Sequence, residues 1–292
     1  MRSKRSVLIS GAGIAGNAIA GLLAHGGFDV TVVERAHQLR DGGQNVDVEG
    51  DGREVAERLG LIEAIRAAGT GETGTEFVDN HGGTVALFPA SAKKSFTSEL
   101  EVPRGALVRM LYDHSRDGAK YIFSERISML LNNDEEVVVA FSDGHEESFD
   151  LVIVAEGLRS HTRELLFADA QLHHLGLYMA WFPIPRQATD SQNWRIYHAP
   201  GGRALSLRPA KEVMRAMLAL RSGTTSYERL SRAAQIEMLH KHFANAGWES
   251  ERILDGMEPG TLELQPLAQV RAPVGRRGEW CCSATLRTRP RR

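Results

Sequence analysis

Six residues near the start constrain this chain more than any other feature: Gly11-Ala12-Gly13-Ile14-Ala15-Gly16. They lie between a short apolar, β-prone run, Ser6 to Ser10, and a stretch of helical character reaching about His25. A strand that enters a helix through such a turn has little freedom. Gly11 permits the tight turn, Gly13 lets the backbone approach a pyrophosphate, and Gly16 allows helix and strand to pack closely. The helix start then offers free N–H groups and a positive dipole end to phosphate. Gly26-Gly27 stops the helix, and Asp29 to Glu34 (D-V-T-V-V-E) reads as a buried second strand. Glu34, at its end, is placed to accept hydrogen bonds from an adenosine ribose. A glycine pattern alone is weak, but β-α-β with a terminal acid is specific for a dinucleotide. It does not by itself separate NAD from FAD.

Further along, Gly-bearing turns at His81-Gly82-Gly83 and Asp143-Gly144 read as hairpins. Asp150 to Ala155 (D-L-V-I-V-A) is another buried-type strand. Between about Leu175 and Leu220 several strand-like stretches alternate apolar and polar residues, and a helix is expected from about Tyr227 to Ala246. Trp181, Phe182, Trp194 and Tyr197 fall among those strands, either lining a pocket or filling the sheet core. The histidines are scattered; His173-His174 and His240-Lys241-His242, with Glu237 one helical turn before His240, give no second pair of the kind a carboxylate-bridged metal site needs. The two cysteines, Cys281 and Cys282, are adjacent, so neither a disulfide framework nor a zinc site is expected.

Charge and hydropathy exclude some classes. Lys and Arg total 35 against 37 Asp and Glu, which offers no basic excess for nucleic acid. No apolar run approaches the roughly 20 residues of a membrane helix. The basic start, Met1 to Arg5, is followed by an apolar stretch that Gly11 and Gly13 interrupt at once, unlike a secretory signal. A cytoplasmic protein with a small-molecule substrate is expected; the oligomeric state is not legible.

Four segments beyond the glycine turn make the chain resemble the class A FAD-dependent monooxygenases, of the para-hydroxybenzoate hydroxylase fold. The nearest likeness is to the flavin-dependent tetracycline monooxygenases. The segments are Glu34-Arg35; Arg40-Asp41-Gly42-Gly43-Gln44-Asn45-Val46-Asp47; Glu101-Val102-Pro103-Arg104-Gly105-Ala106-Leu107; and Asp150 through Ala155-Glu156-Gly157 to Arg163. Their order and spacing agree over residues 6 to 168, while residues 169 to 270 match only in general character. The resemblance implies an α/β fold, a Rossmann-like FAD-binding domain with an inserted mixed β-sheet substrate domain. The expected division is 1–72, 98–168 and 255–292 for FAD, with 73–97 and 169–254 for substrate.

The same resemblance implies FAD as cofactor and NAD(P)H as co-substrate. It assigns FAD contacts to Gly11, Gly13, Gly16, Glu34, Arg35, Asp47 and Arg104, and a part in NADPH use to Arg40. Glu156-Gly157 stands where the family carries an Asp-Gly pair that meets both FAD and NAD(P)H; here the acid is one methylene longer. Read from the residues alone, Arg40, Asp47, Arg104 and Arg159 also suit ordinary loop, turn or helix-start positions. The chemistry belongs to the flavin and dioxygen, so no protein nucleophile or metal is required. The substrate is expected to be an aromatic or polyketide-like small molecule, hydroxylated at the expense of NAD(P)H and O2. A flavin-dependent reductase or dehydrogenase on the same fold remains an alternative.

The tail departs from the family. Residues 276 to 292 are Arg-rich, lack periodicity and match no element such a domain should end with. Reading Gly278-Glu279-Trp280-Cys281-Cys282-Ser283-Ala284-Thr285-Leu286 with two bases of the Glu279 codon discarded, degenerate codons permit Val, Val, Leu, Leu, Gly, Asp, Ala, Ala. That is the family's third FAD-binding segment. A frameshift near residue 278 is therefore expected, leaving the N-terminal three-quarters of an enzyme that would hold FAD poorly. A catalytically inactive remnant is the corresponding alternative.

Overall fold

Ser6–Ser10 (β1) carries apolar side chains on both faces, and Val7, Leu8 and Ile9 are almost wholly buried. A strand with no polar face has to lie inside a sheet covered on both sides. The computed structural model places it there, and describes residues 4–40, 42–91, 96, 98–133, 136–167, 169–210, 212–223 and 226–272. It adds 276–277 and 280–282 in backbone outline.

From β1 the chain turns through the glycines into α1 (Ile14–His25), returns as β2 (Asp29–Glu34), and forms the short β3 (Asn45–Asp47). Two short helices, α2 (Asp51–Arg58) and α3 (Ile62–Ala67), precede the hairpin β4 (Gly74–Val78) and β5 (Thr84–Pro89). Next come β6 (Glu101–Pro103), α4 (Arg104–Ser115), β7 (Ala119–Phe123), the strands β8 (Ile127–Asn132), β9 (Val137–Phe141) and β10 (Glu146–Phe149), then β11 (Leu151–Val154) and α5 (His161–Leu166). The remaining strands are β12 (Gln171–Pro185), β13 (Trp194–Ala199), β14 (Arg203–Ala210) and β15 (Val213–Arg221). They are followed by α6 (Arg232–Phe243), α7 (Ser250–Asp255), β16 (Glu263–Arg271), β17 (Arg276–Arg277) and β18 (Trp280–Cys282).

The first sheet has the order β17-β18-β11-β1-β2-β7 and is parallel except for its β17 edge. Helices α1 and α4 cover one face, and the antiparallel sheet β10-β9-β8 covers the other, with Leu8, Val152 and Val154 packed against Val137, Val139 and Phe141. A seven-stranded sheet, β16-β12-β15-β14-β13-β4-β5, forms the second unit. Its alternation is regular: Leu205, Leu207, Met214, Ala216 and Leu218 point into a core closed by Leu239 and Phe243 of α6 and by Ile253 and Leu254 of α7. Complete burial of each such side chain contributes on the order of 2 kcal/mol. The other face of this sheet looks toward the nucleotide-binding unit.

This is the expected α/β fold, with three differences of detail. The helix expected from Tyr227 to Ala246 is a single 3₁₀ turn, Tyr227–Arg229, and then α6 from Arg232. Ser231 breaks the run because its Oγ accepts the N–H of Ala234 at 3.3 Å, as an N-cap does. The segment 255–292 was expected with the FAD-binding unit, but β16 pairs antiparallel with β12 in the seven-stranded sheet. Its alternating burial supplies an apolar side, Leu264 and Val270, that only that sheet can cover. Finally, residues 276 to 292 were expected to match no element such a domain should end with, though they were assigned to the FAD-binding unit; β18 runs parallel to β11 in that unit's sheet, Cys281 opposite Ile153. Residues 278–279 and 283–292, where the displaced motif was sought, lie outside the described residues, as do the side chains of Cys281 and Cys282.

Candidate functional site

The glycine turn does what its spacing demands. Gly11 has φ +108°, and a Cβ there would stand 2.6 Å from the carbonyl oxygen of Ala155 on the neighbouring strand end. At Gly16 a Cβ would be 1.8 Å from the Gly11 oxygen, so α1 packs against the turn with no room for a methyl group. Around Gly13 the space is open, with nothing within 4 Å of a Cβ. Gly13 is also the N-cap of α1, where no side chain caps the helix and no acid occupies the first turn. The first N–H groups of α1 are thus free for an external anion.

Glu34 is 6% exposed and holds this turn in place. Its Oε2 accepts the Ala12 N–H at 3.0 Å and its Oε1 the Ala36 N–H at 2.9 Å. Two charge-assisted backbone bonds fix the glycine turn to the chain leaving β2. Arg35 and Arg40 are exposed, and Arg40 Nη2 lies 3.8 Å from Glu34 Oε1. Arg104 opens α4 and lies beside Gly43, where φ is +114° and a Cβ would meet Arg104 Cδ at 2.8 Å. Burial, and then the nearby Arg40, lower the proton affinity of Arg104, though a guanidinium stays charged. Gly13, Glu34, Arg40 and Arg104 line one small cavity. A helix N-terminus and two guanidinium groups around one space suit a doubly charged pyrophosphate. The residues present therefore fit FAD. Asp47, on β3, accepts the Ser98 N–H at 3.4 Å and does not line that space.

Glu156 is surrounded by donors of the chain itself. Its Oε1 accepts from Ser10 Oγ and Thr162 Oγ1, and its Oε2 from Ser160 Oγ at 2.8 Å and the Thr162 N–H at 3.0 Å. Burial raises the carboxyl, but these donors outweigh it and hold the group below the usual carboxylate range. All four lone-pair directions are occupied by the chain itself. The longer acid thus ties β1 to the start of α5. Gly157, φ +79° with open space around it, is the member of the pair that leaves room for a ligand. Arg163 is buried and fixes the same loop through the carbonyls of Gly157 and Leu158, each at 2.9 Å.

Arg40 and Arg104 also border a larger cavity of about 680 Å³, closed on its far side by Trp181, Glu263 and Gln265 of the seven-stranded sheet. Gln44 and Trp181 lead from it into a third space of about 110 Å³ beneath Trp194, Ser206, Arg208, Arg215 and Met217. Of the four aromatic residues noted in the sequence, Trp181 and Trp194 line these cavities, while Phe182 and Tyr197 belong to the opposite core. The two-residue period of a strand decides this assignment.

Sequence reasoning missed an ionic cluster at the same place. Arg208 Nε donates to Glu72 Oε2 at 2.6 Å, and Arg208 Nη2 stands 2.6 Å from Glu101 Oε1 as an ion pair. The guanidinium carbon lies 4.4 Å from the Trp194 ring centroid. Burial, only partly offset by Arg208, pushes Glu72 up to about 7 and raises Glu101 as well. Arg208 alternates with buried leucines in β14, which is a legible signal; nothing local marks Glu72 as its partner, 136 positions earlier.

Comparison with known proteins agrees with this geometry. A family model described as an FAD binding domain matches residues 4–251. The flavin-dependent monooxygenase eupH of Phoma sp is 38% identical over 289 residues, covering 92% of this chain and 67% of its own length. The tetracycline destructase Tet(55) superposes with a TM-score of 0.85 at 28% identity, over 98% of this chain and 74% of that one. Klebsiella pneumoniae HpxO complexed with FAD and uric acid shares the fold at 20% identity, with a TM-score of 0.76 over 95% of this chain and 72% of that one. The chain belongs to the FAD-dependent monooxygenases, an oxidoreductase family with FAD as cofactor. Among the described residues no helix is long and apolar enough to cross a membrane.

Proposed function

We propose that this protein holds FAD along the cleft between its two sheets and uses NAD(P)H and O2 to hydroxylate an aromatic or polyketide-like small molecule. The observation that carries this reading is the continuity of the cleft. It starts at Gly13 with Arg40 and Arg104 and ends at a pocket walled by Trp181 and Trp194. Bound there, FAD supplies the redox and oxygen chemistry. Residues 1–72 and 98–168 hold it, through Gly11, Gly13, Gly16, Glu34, Arg35, Arg40, Asp47, Arg104 and Gly157. Residues 73–97 and 169–254, with β16, wall the substrate. Arg40 and Arg104 neutralise the pyrophosphate, the free N–H groups of α1 receive it, and Glu34 keeps the turn in register for both. The tryptophans present flat faces to a ring and exclude water from it. Trp181 is 7% exposed, which makes it a stiff wall for positioning.

The test is reconstitution with FAD, followed by NADH and NADPH oxidation and O2 uptake with and without phenolic polyketides. Stoichiometric flavin, substrate-stimulated oxidation and incorporation of isotopically heavy O2 into product are expected. Absence of flavin after reconstitution would point to an inactive remnant. Product reduced or desaturated without incorporated oxygen would point to a reductase or dehydrogenase. Either result overturns the proposal.

A further inference from the structure

The innermost pocket has a one-sided charge pattern. Arg208 on β14 and Arg215 on β15 are direct cross-strand partners, and both line it. Like charges facing each other across an antiparallel pair are unfavourable unless something neutralises them. Arg208 has its counter-charges in Glu72 and Glu101. Arg215 forms no ion pair among the described residues, and its Nε is buried without a hydrogen-bond partner. Among the described residues no acidic side chain lines the pocket. A second donor stands there in the same condition: the indole Nε1 of Trp194 is buried and has no acceptor. Buried donors left without partners are costly, and native proteins tolerate them where a ligand completes them. Met179 and Met217, also in the wall, supply an adaptable apolar surface for the carbon skeleton.

We propose that Arg215, aided by Trp194 Nε1, is the specificity-determining residue of this pocket and selects substrates that present a delocalised oxyanion, a phenolate, enolate or carboxylate, beside an apolar ring. The inference deepens the oxygenase reading and rests on it for the word substrate. It does not depend on turnover, because recognition is read by binding. A guanidinium matches such an oxygen by charge and by directed N–H donors, whereas a neutral ether of the same shape leaves both donors unpaired. Arg208 cannot serve in its place, since its charge is already met by two carboxylates.

The experiment uses FAD-reconstituted protein at pH 8 and two matched probes, 4-nitrophenolate and 4-nitroanisole, titrated against tryptophan fluorescence. The phenolate is expected to bind at least tenfold more tightly than the ether. Arg215→Gln is expected to abolish that preference with flavin content unchanged, and Arg215→Lys to retain most of it. Equal affinity of the two probes for the unaltered protein overturns the proposal, and so does a preference that survives in Arg215→Gln. If Arg215→Gln fails to fold, the comparison in the unaltered protein decides alone. NADPH-dependent O2 uptake is recorded separately. Its absence beside an intact, Arg215-dependent preference counts against the oxygenase reading and leaves the oxyanion site standing.

Discussion

Replacing Arg208 by methionine keeps an unbranched apolar stem but removes the cation between Glu72 and Glu101. Both carboxylates are buried, with 2% and 4% of their side chains exposed. Taking one partner from a buried ionic cluster costs about 3–5 kcal/mol, because the charges left behind have neither water nor counter-ion. The pH dependence is the sharper expectation. In the native protein the Glu72 carboxyl is raised to about 7, so folding favours its neutral form. A raised acid contributes stability that is present below its unfolded value, near 4.5, and lost as pH climbs toward 7. Arg208 lowers both carboxyls by charge and by hydrogen bonding. In Arg208→Met both therefore rise further and the window of loss widens upward. Each added unit corresponds to about 1.4 kcal/mol per group at alkaline pH. Urea unfolding at acidic, neutral and alkaline pH measures it. Arg208→Met is expected to lose least at pH 5, where Glu72 is protonated, and to be several kcal/mol less stable than the parent at pH 8.5. Adding Glu72→Gln should recover much of the alkaline loss. A destabilisation independent of pH, or no destabilisation, would refute the reasoning by showing that Arg208 acts through packing on Trp194 alone.

Other substitutions probe the nucleotide end. Gly16→Ala puts a methyl group 1.8 Å from the Gly11 oxygen, so it should lower stability by about 1–3 kcal/mol and flavin content with it; unchanged melting and flavin absorbance would mean the turn yields freely. Arg104→Ala should weaken FAD retention by about 1–3 kcal/mol if the guanidinium meets phosphate, measured by flavin titration of the apoprotein. Glu156→Gln should destabilise by about 1–3 kcal/mol, since an amide is a weaker acceptor for four donors. Its acid is held below the usual range, so the parent's advantage is present above the unfolded value and fades as pH falls through the folded one. A difference constant down to acid pH would show that the carboxylate's charge is not what those donors hold.

The nucleotide-binding half was legible because its determinants are local. Gly11, Gly13 and Gly16 are fixed by backbone geometry within six residues, and β1, β2 and β11 announce themselves as apolar on both faces. Glu34 could be placed at a strand end from its neighbours alone, and the hairpins at Gly82 and Gly144 from their turns. Short-range sterics and periodicity suffice for such features. Tertiary structure decided what depends on residues far apart in the chain. It turned Glu156 inward onto Ser10 and Thr162, placed β16 at the edge of the substrate sheet, and divided Trp181 and Trp194 from Phe182 and Tyr197 by strand phase. Most of all, it brought Glu72 and Glu101 to Arg208 while leaving Arg215 opposite without a counter-charge among the described residues. Charge pairing acts through space and is indifferent to sequence separation, so the residues that shape the pocket's chemistry carry no mark of it in the sequence.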